Sequence, residues 1–319
     1  MINLDDVRRA AAGLRGVAHR TPVLTSRSLD STLGASVFLK CESFQRTGSF
    51  KFRGAFNLMA SLAEDERARG VCTVSSGNHA QAVALAAREL GIPAVVAMPE
   101  DTPAAKMDAT VGYAAEVVTF DRYRVPQREA GSRLQAERGL PFVSSHDDPR
   151  ISAGAGTAML ELVEDAGPFD VVVAPVGGGG GLAGYATVAT GLCPGVRVVA
   201  AEPDASRVLS RSLVAGQRVE VPVPRTIADG QQLGVIGRFP FQVLSRLVDE
   251  TVAVTDAEIV GAMRLLFDRL KLVTEPSGAI ALAAVLTGRV DVAGRRVGII
   301  VSGGNVGTDR FCELLAGGD

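Results

Sequence analysis

The sequence predicts an α/β protein of two lobes, each an open and mainly parallel sheet flanked by helices. Three observations carry this expectation. Short apolar runs alternate with helix-length segments, the pattern of parallel strands joined by crossover helices. Several of those runs end in small, polar or glycine-rich turns, and open α/β sheets bind ligands at the carboxyl ends of their strands. The chain has 319 residues, more than one domain usually holds.

Taken in order, residues 1–20 read as a helix with Leu4, Val7, Ala11 and Leu14 on one face. Asp5 and Asp6 give it an acidic start, and Pro22 ends it. Residues 37–40 form a short strand. Strands at Val71–Val74, 94–98, Glu116–Phe120 and 141–143 then alternate with helices near 80–90, 104–111 and 126–137. This stretch, residues 64–148, is the expected small lobe. From Pro149 the pattern restarts, with a helix at 156–164, a strand at 171–174, a helix at 182–191 and a strand at 196–201. A long loop follows, carrying Pro203, Pro222, Pro224 and Thr226-Ile227-Ala228-Asp229-Gly230. Helices at 259–270 and 279–286 and a strand at 297–301 close the pattern. Residues 1–63 are assigned with 149–319 to one large lobe, which makes the small lobe an insertion. No internal repeat is visible, and the stretch after Ser302 leaves no room for a regulatory extension.

Composition narrows the function. With 47% hydrophobic residues the chain can bury a large core. A net charge of −2 argues against nucleic acid, whose binding needs clustered basic residues. Cys41, Cys72, Cys193 and Cys312 show neither metal spacing nor a paired framework, so a reduced, cytoplasmic compartment is expected. No charged-then-apolar leader opens the chain. The uncharged run from Val171 to Val196 is long enough to cross a bilayer. Its glycine cluster, Pro175 and Pro194 suit a strand, a loop and a helix better, so no membrane contact is expected.

One stretch organises the chemistry: Thr47-Gly48-Ser49-Phe50-Lys51-Phe52-Arg53-Gly54-Ala55. A lysine here follows a small-residue turn and leads an apolar, helix-compatible run, so its amine sits at the mouth of a helix where backbone donors are unpaired. A cationic neighbour such as Arg53, or partial desolvation, favours the neutral amine, the form that attacks carbonyls. A lone lysine in such a place is ordinarily a solvated surface residue. Three later turns give this one company. Ser75-Ser76-Gly77-Asn78-His79 follows one apolar run, Gly177-Gly178-Gly179-Gly180-Gly181 a second, and Ser302-Gly303-Gly304-Asn305 a third. In the glycine run, backbone amides can converge on an anion while the next helix adds its positive end. A mere strand-to-helix turn needs fewer glycines. A rival reading exists: Gly179-x-Gly181-x-x-Gly184 fits a dinucleotide fingerprint, with Glu202 near the place of a ribose-binding acid. An NAD-dependent dehydrogenase, however, leaves Lys51, Asn78 and Ser302 without work.

These words, with Thr226-Ile227-Ala228-Asp229-Gly230 and Glu275-Pro276-Ser277-Gly278-Ala279, occur in order over nearly the whole chain. In that combination the sequence resembles the pyridoxal-phosphate enzymes of the tryptophan-synthase-β fold type (fold type II), in the branch of serine/threonine dehydratases and serine racemase. The resemblance implies pyridoxal 5'-phosphate as cofactor and a homodimer as the usual assembly. It makes Lys51 the Schiff-base lysine and the base for the substrate Cα proton on one face, with Phe50 against the cofactor ring. Gly177, Gly178, Gly179 and Gly180 would hold the phosphate, Asn78 the ring hydroxyl, and Ser302 would stand at the pyridine nitrogen. Glu275 matches an acidic residue near the cofactor, although an ordinary helix start explains it equally. Ser75, Ser76, Gly77, Asn78 and His79 would hold the substrate carboxylate, with a purely structural histidine as the alternative for His79. A hydroxyl rather than a carboxylate at Ser302 disfavours a long-lived carbanion and fits β-elimination, in which the leaving group takes the electron pair. Ser76 matches the second proton donor of the racemases and so permits racemisation without requiring it.

Two departures stand out. Glu202 matches one ligand of the divalent-metal site of serine racemases, but Val208 stands where a carboxylate is expected, and hard cations want several oxygens. No metal is therefore expected. Ala155 replaces a glutamine usual in relatives, and nothing in the sequence explains it. The resulting expectation is an ammonia-lyase that converts a β-hydroxy amino acid, such as L-threonine or L-serine, to a 2-keto acid and ammonia. A serine racemase with side dehydratase activity, or a dehydratase of 3-hydroxyaspartate or phenylserine, are the alternatives. A binding protein with a dead site would be expected to lack Lys51.

Overall fold

The computed structural model describes residues 1–102 and 104–317. The chain opens with α1 (Leu4–Leu14), capped by Asn3, whose side chain accepts the Asp6 amide while Asp6 accepts the Asn3 amide. The helix does not run to residue 20. Arg15 leaves helical space at ψ 124° and Gly16 turns left-handed at φ 75°. Next come β1 (Val23–Leu24), α2 (Arg27–Leu33), β2 (Ser36–Cys41), α3 (Lys51–Ala60) and α4 (Glu64–Arg69). They lead to β3 (Val71–Val74), α5 (Asn78–Leu90), β4 (Ala94–Pro99), α6 (Ala104–Gly112), β5 (Glu116–Phe120) and α7 (Gln127–Arg138).

The expected strand at 141–143 shrinks to a single parallel bridge between Phe142 and Cys72. Pro141 has no amide to extend the ladder, so only its carbonyl and the Val143 amide pair with Cys72. Beyond it lie α8 (Pro149–Ala166), β6 (Val171–Pro175), α9 (Gly180–Leu192) and β7 (Arg197–Pro203). The expected long loop after β7 is only partly irregular. It contains α10 (Val208–Ala215), α11 (Arg238–Leu247) and β8 (Glu250–Val254), while the Pro222 and Pro224 stretch is without regular structure. Then α12 (Asp256–Leu270), α13 (Pro276–Leu286), β9 (Arg296–Val301) and α14 (Thr308–Ala316) follow, the last of these not foreseen from the sequence.

The strands form two sheets. One has the order β1-β2-β9-β6-β7-β8 and is parallel except for β1, and the other is the parallel β3-β4-β5. Strands of the larger sheet are apolar on both faces because helices cover both sides. Val171, Val173, Val199, Ala201, Val297 and Ile299 point into a core with α12 and α13. Their neighbours Val172, Ala174, Val198, Ala200 and Ile300 point into a core with α8 and α9. This period-2 division is what a doubly covered strand demands.

Strand order locates the site. From β6 the chain moves one way to β7 and β8, whereas β9 returns on the opposite side of β6. Crossovers therefore diverge between β6 and β9, and that divergence opens a crevice at the carboxyl ends of the strands. The turns after β6, β9 and β2 are the glycine run, the Ser302 turn and the Lys51 turn.

Candidate active site

Backbone bonds tie those turns together. The Phe50 amide donates to the Ser302 carbonyl at 3.1 Å, Ser49 bridges Gly303, and the Gly304 amide donates to the Gly48 carbonyl at 2.9 Å. Two glycines are required by this close approach. A Cβ on Gly48, which sits at φ 72°, would fall 2.2 Å from the Asn305 side-chain oxygen, and one on Gly303 would fall 2.5 Å from Glu275 Oε1. In the glycine run, a Cβ on Gly178 would lie 2.3 Å from the His146 ring, and one on Gly181 would lie 3.0 Å from the Phe50 ring. Gly180 begins α9, so the first-turn amides there have no intrahelical acceptor. Bare amides, a helix start and no room for side chains make a cradle for an anionic group. The residues fit a pyridoxal-phosphate site.

Lys51 begins α3 and is half-buried. Its Nζ donates to the Ser145 carbonyl at 2.9 Å and lies 5.1 Å from the centre of the Phe50 ring. Burial pulls its pKa down from 10.5 to about 8, against a smaller opposing pull from Glu275. The expectation that Arg53 helps to lower it is corrected by the geometry. Arg53 is itself buried and neutralised, with Nε and Nη2 on Glu42 at 2.8 and 2.9 Å and Nη1 on Glu161 at 2.7 Å. Desolvation, not a neighbouring cation, is what favours the neutral amine at Lys51.

A chain of amides runs beside the lysine. Asn305 Nδ2 donates to the Thr47 carbonyl at 2.6 Å and to Asn78 Oδ1 at 2.8 Å. Asn78 Nδ2 donates in turn to Glu275 Oε1 at 2.7 Å. Burial, with Asp229 nearby, raises the Glu275 pKa from 4.5 to about 8, while the Asn78 bond works the other way. Ser302 is buried and its hydroxyl donates to the Ser277 carbonyl at 3.2 Å.

The loop Ser75-Ser76-Gly77 leads into α5, and its residues are half-buried. The Ser75 hydroxyl accepts the Gly77 amide at 3.2 Å, and among the described residues the Ser76 hydroxyl has no protein partner. The His79 ring turns away to the Val143 carbonyl at 3.0 Å, and burial together with Lys51 lowers its pKa to about 3. It is a neutral structural histidine, and only its amide, in the first turn of α5, remains for a substrate.

Sequence reasoning missed Ser145 and His146. They follow the 141–143 run in Ser144-Ser145-His146-Asp147, an apolar run entering a small polar turn, which is the signal that marked the other three turns. His146 Nδ1 meets Ser145 Oγ at 2.9 Å, and burial, then Lys51, lowers its pKa to about 4. The rival dinucleotide pattern also finds another explanation. A Cβ on Gly184 would lie 2.1 Å from the Ser152 carbonyl, so that glycine lets α8 and α9 touch. Glu202, buried, accepts the amides of Leu209 and Ser210 at 2.9 and 3.0 Å and so caps α10. With both oxygens so engaged and Val208 offering no donor, these residues do not fit a hard cation. Ala155 is buried in the α8–α9 core, which gives it a packing role and no visible chemical one.

Comparison with known proteins agrees with this geometry. Residues 14–303 match the family of pyridoxal-phosphate dependent enzymes. An L-threo-3-hydroxyaspartate ammonia-lyase from Pseudomonas sp is 46% identical over 98% of this chain and 98% of its own. One of the same name from Saccharomyces cerevisiae is 42% identical over 98% and 96%. The crystal structure of serine racemase from Dictyostelium discoideum superposes with a TM-score of 0.89 at 38% identity, covering 96% of this chain and 99% of that one. The chain belongs to the pyridoxal-phosphate dependent enzymes of fold type II, and its cofactor is pyridoxal phosphate.

Proposed function

We propose that the protein is an ammonia-lyase whose substrate class is 3-hydroxyaspartate rather than threonine or serine. The observation that carries this reading is the end-to-end match to two proteins of that name, at 46% and 42% identity. Pyridoxal phosphate, when bound, supplies the electron sink for chemistry at Cα. The chain's own residues do the rest. Amides of Gly177 to Gly180 and the start of α9 hold the phosphate, and Asn78, Glu275 and Ser302 surround the ring. The Ser75-Ser76-Gly77 loop and the first-turn amides of α5 hold the substrate carboxylate. Lys51, desolvated and with no ion pair among the described residues, accepts the Cα proton while the β-hydroxyl departs with its bonding electrons. Hydrolysis then yields a 2-keto acid and ammonia. A division into a lobe of residues 1–63 and 149–319 and a lobe of 64–148, and a homodimeric assembly, belong to the same reading.

The test is a panel of L- and D-β-hydroxy amino acids with keto acid and enantiomer assayed together. L-threo-3-hydroxyaspartate should show the highest kcat/KM, and a preference for threonine would overturn the substrate. The Ser76 hydroxyl, without a hydrogen-bond partner among the described residues, favours a second activity, racemisation, because protons must then reach Cα from both faces. Ser76→Ala should remove any racemisation by about 10²–10⁴-fold while much of the elimination survives. Racemisation undiminished in that variant would refute the two-base reading.

A further inference from the structure

We infer that Asn305 is a positioning residue that sets the polarity of Asn78 and thereby makes Asn78 a hydrogen-bond donor to the cofactor. This rests on the proposed placing of Asn78 at the ring oxygen. The orientation of a side-chain amide is decided by its partners. Here the partner at one end is a backbone carbonyl, which can only accept. Thr47 O therefore requires the NH₂ group of Asn305 at 2.6 Å. That same NH₂ group lies 2.8 Å from Asn78, so the atom facing it must be the Asn78 oxygen. The Asn78 NH₂ group is then the one that meets Glu275 Oε1 at 2.7 Å. A main-chain oxygen thus dictates the direction of two successive side-chain amides.

The consequence falls on the site. The Asn78 oxygen is engaged by Asn305 and one N–H by Glu275, which leaves one N–H uncommitted. Flipping the amide would set the Asn78 NH₂ group against that of Asn305, and that bond would be lost. Asn305 itself is firmly seated. Thr47 adopts φ 58°, unusual for a β-branched residue, and Gly48 lies against the Asn305 side chain with no space for a Cβ. An uncommitted donor at Asn78 favours an anionic oxygen on the ring over a neutral hydroxyl.

The variant Asn305→Asp keeps the shape and removes the donor. The new carboxylate oxygen accepts from Asn78, which must turn its own oxygen toward Glu275. Three readouts apply: the absorption spectrum of the bound pyridoxal phosphate across pH, its dissociation constant by equilibrium dialysis, and the melting temperature with and without the cofactor. We expect a displaced or newly pH-dependent absorption band and affinity weakened by about 10- to 100-fold. The loss of melting temperature should be larger with cofactor than without it. A wild-type spectrum and dissociation constant, with equal loss of stability in both forms, would reduce Asn305 to a brace for the Gly48 turn. If Asn305→Asp does not fold, Asn305→Ser carries the same test, since one hydroxyl can serve Thr47 or Asn78 but not both. Borohydride reduction should still fix the cofactor on Lys51 in these variants. Failure of that labelling in the wild type would strike the cofactor-site reading on which this one rests, whereas labelling of Lys51 with an unchanged spectrum and affinity in Asn305→Asp strikes this one alone.

Discussion

Lys51 and Arg53 stand two positions apart on one helix, both cationic and both withdrawn from water, yet their surroundings are opposite. Arg53 meets two carboxylates, and the cluster is completed by Lys40, whose Nζ lies 2.6 Å from Glu161 and 2.7 Å from the Thr21 carbonyl. Two cations and two anions cancel, and every strong donor finds an acceptor. Burial works against the Arg53 charge, but Glu42 and Glu161 more than offset it and hold the guanidinium protonated. Lys51 receives a carbonyl and an aromatic ring instead, so burial wins and its pKa falls to about 8. The difference teaches what separates a structural from a reactive charge: the presence of a counter-ion, not depth.

The comparison breaks most severely at Lys51. Lys51→Ala should abolish turnover, because transfer of the cofactor to substrate and proton abstraction lose the same amine. Borohydride reduction of the wild type should fix the cofactor on the peptide containing Lys51, and label on another lysine would sink the assignment. Next in size is Arg53→Met, which strands Glu42 without its guanidinium. Loss of one member of a buried pair costs about 3–5 kcal/mol, readable by urea unfolding of the cofactor-free protein. Arg53→Lys should also lose stability because an ammonium cannot span two carboxylates as a fork does.

A pH series sharpens the contrast. Cofactor capture by the cofactor-free protein should accelerate as pH rises through about 8, where Lys51 becomes neutral. In a variant carrying Arg53→Met together with Glu42→Gln, which removes the cation and its counter-ion, the midpoint should stay in place, and a marked rise would show that Arg53 does act on Lys51. Stability follows the signs of the shifts. Lys51 titrates near 8 when folded and 10.5 when unfolded, so the unfolded chain binds more protons between those values and stability rises with pH there. Glu275 shifts oppositely, from 4.5 to about 8, so its contribution falls as pH climbs through that window. Glu275→Gln keeps an acceptor for Asn78 and should flatten the lower slope in thermal melts, and an unchanged slope would overturn the assignment. The smallest effect is expected from a chelator. With Glu202 bound to two amides, activity and melting temperature should hardly change, and a large loss restored by magnesium would show that other groups complete a metal site.

Much of this was legible in the chain because the signals are local. An apolar run with period-2 burial entering a glycine or serine turn requires only neighbours in sequence, and four such turns marked Lys51, Asn78, the glycine run and Ser302. The same signal stands at Ser144-Ser145-His146 after the expected 141–143 strand, and what makes that turn part of the site is the distant Lys51 amine on the Ser145 carbonyl. The stretch from 203 to 258 looked like loop because its prolines obscured the short elements α10, α11 and β8. His79 shows the limit of a motif: its position was read, but the ring's direction depends on the Val143 carbonyl.

By itself the sequence determined the parallel α/β plan and the family, and it marked the lysine and the glycine turn on which the proposed function rests. Only the tertiary structure decided which buried charges are paired, which way Asn78 points and what Glu202 holds. Those outcomes depend on partners far along the chain: Ser145 lies 94 positions after Lys51, and Asn305 lies 227 positions after Asn78 and 258 after Thr47. No local pattern encodes such meetings, because the counter-ion or acceptor that reaches a buried group is set by how helices and strands pack, and that partner fixes its charge state.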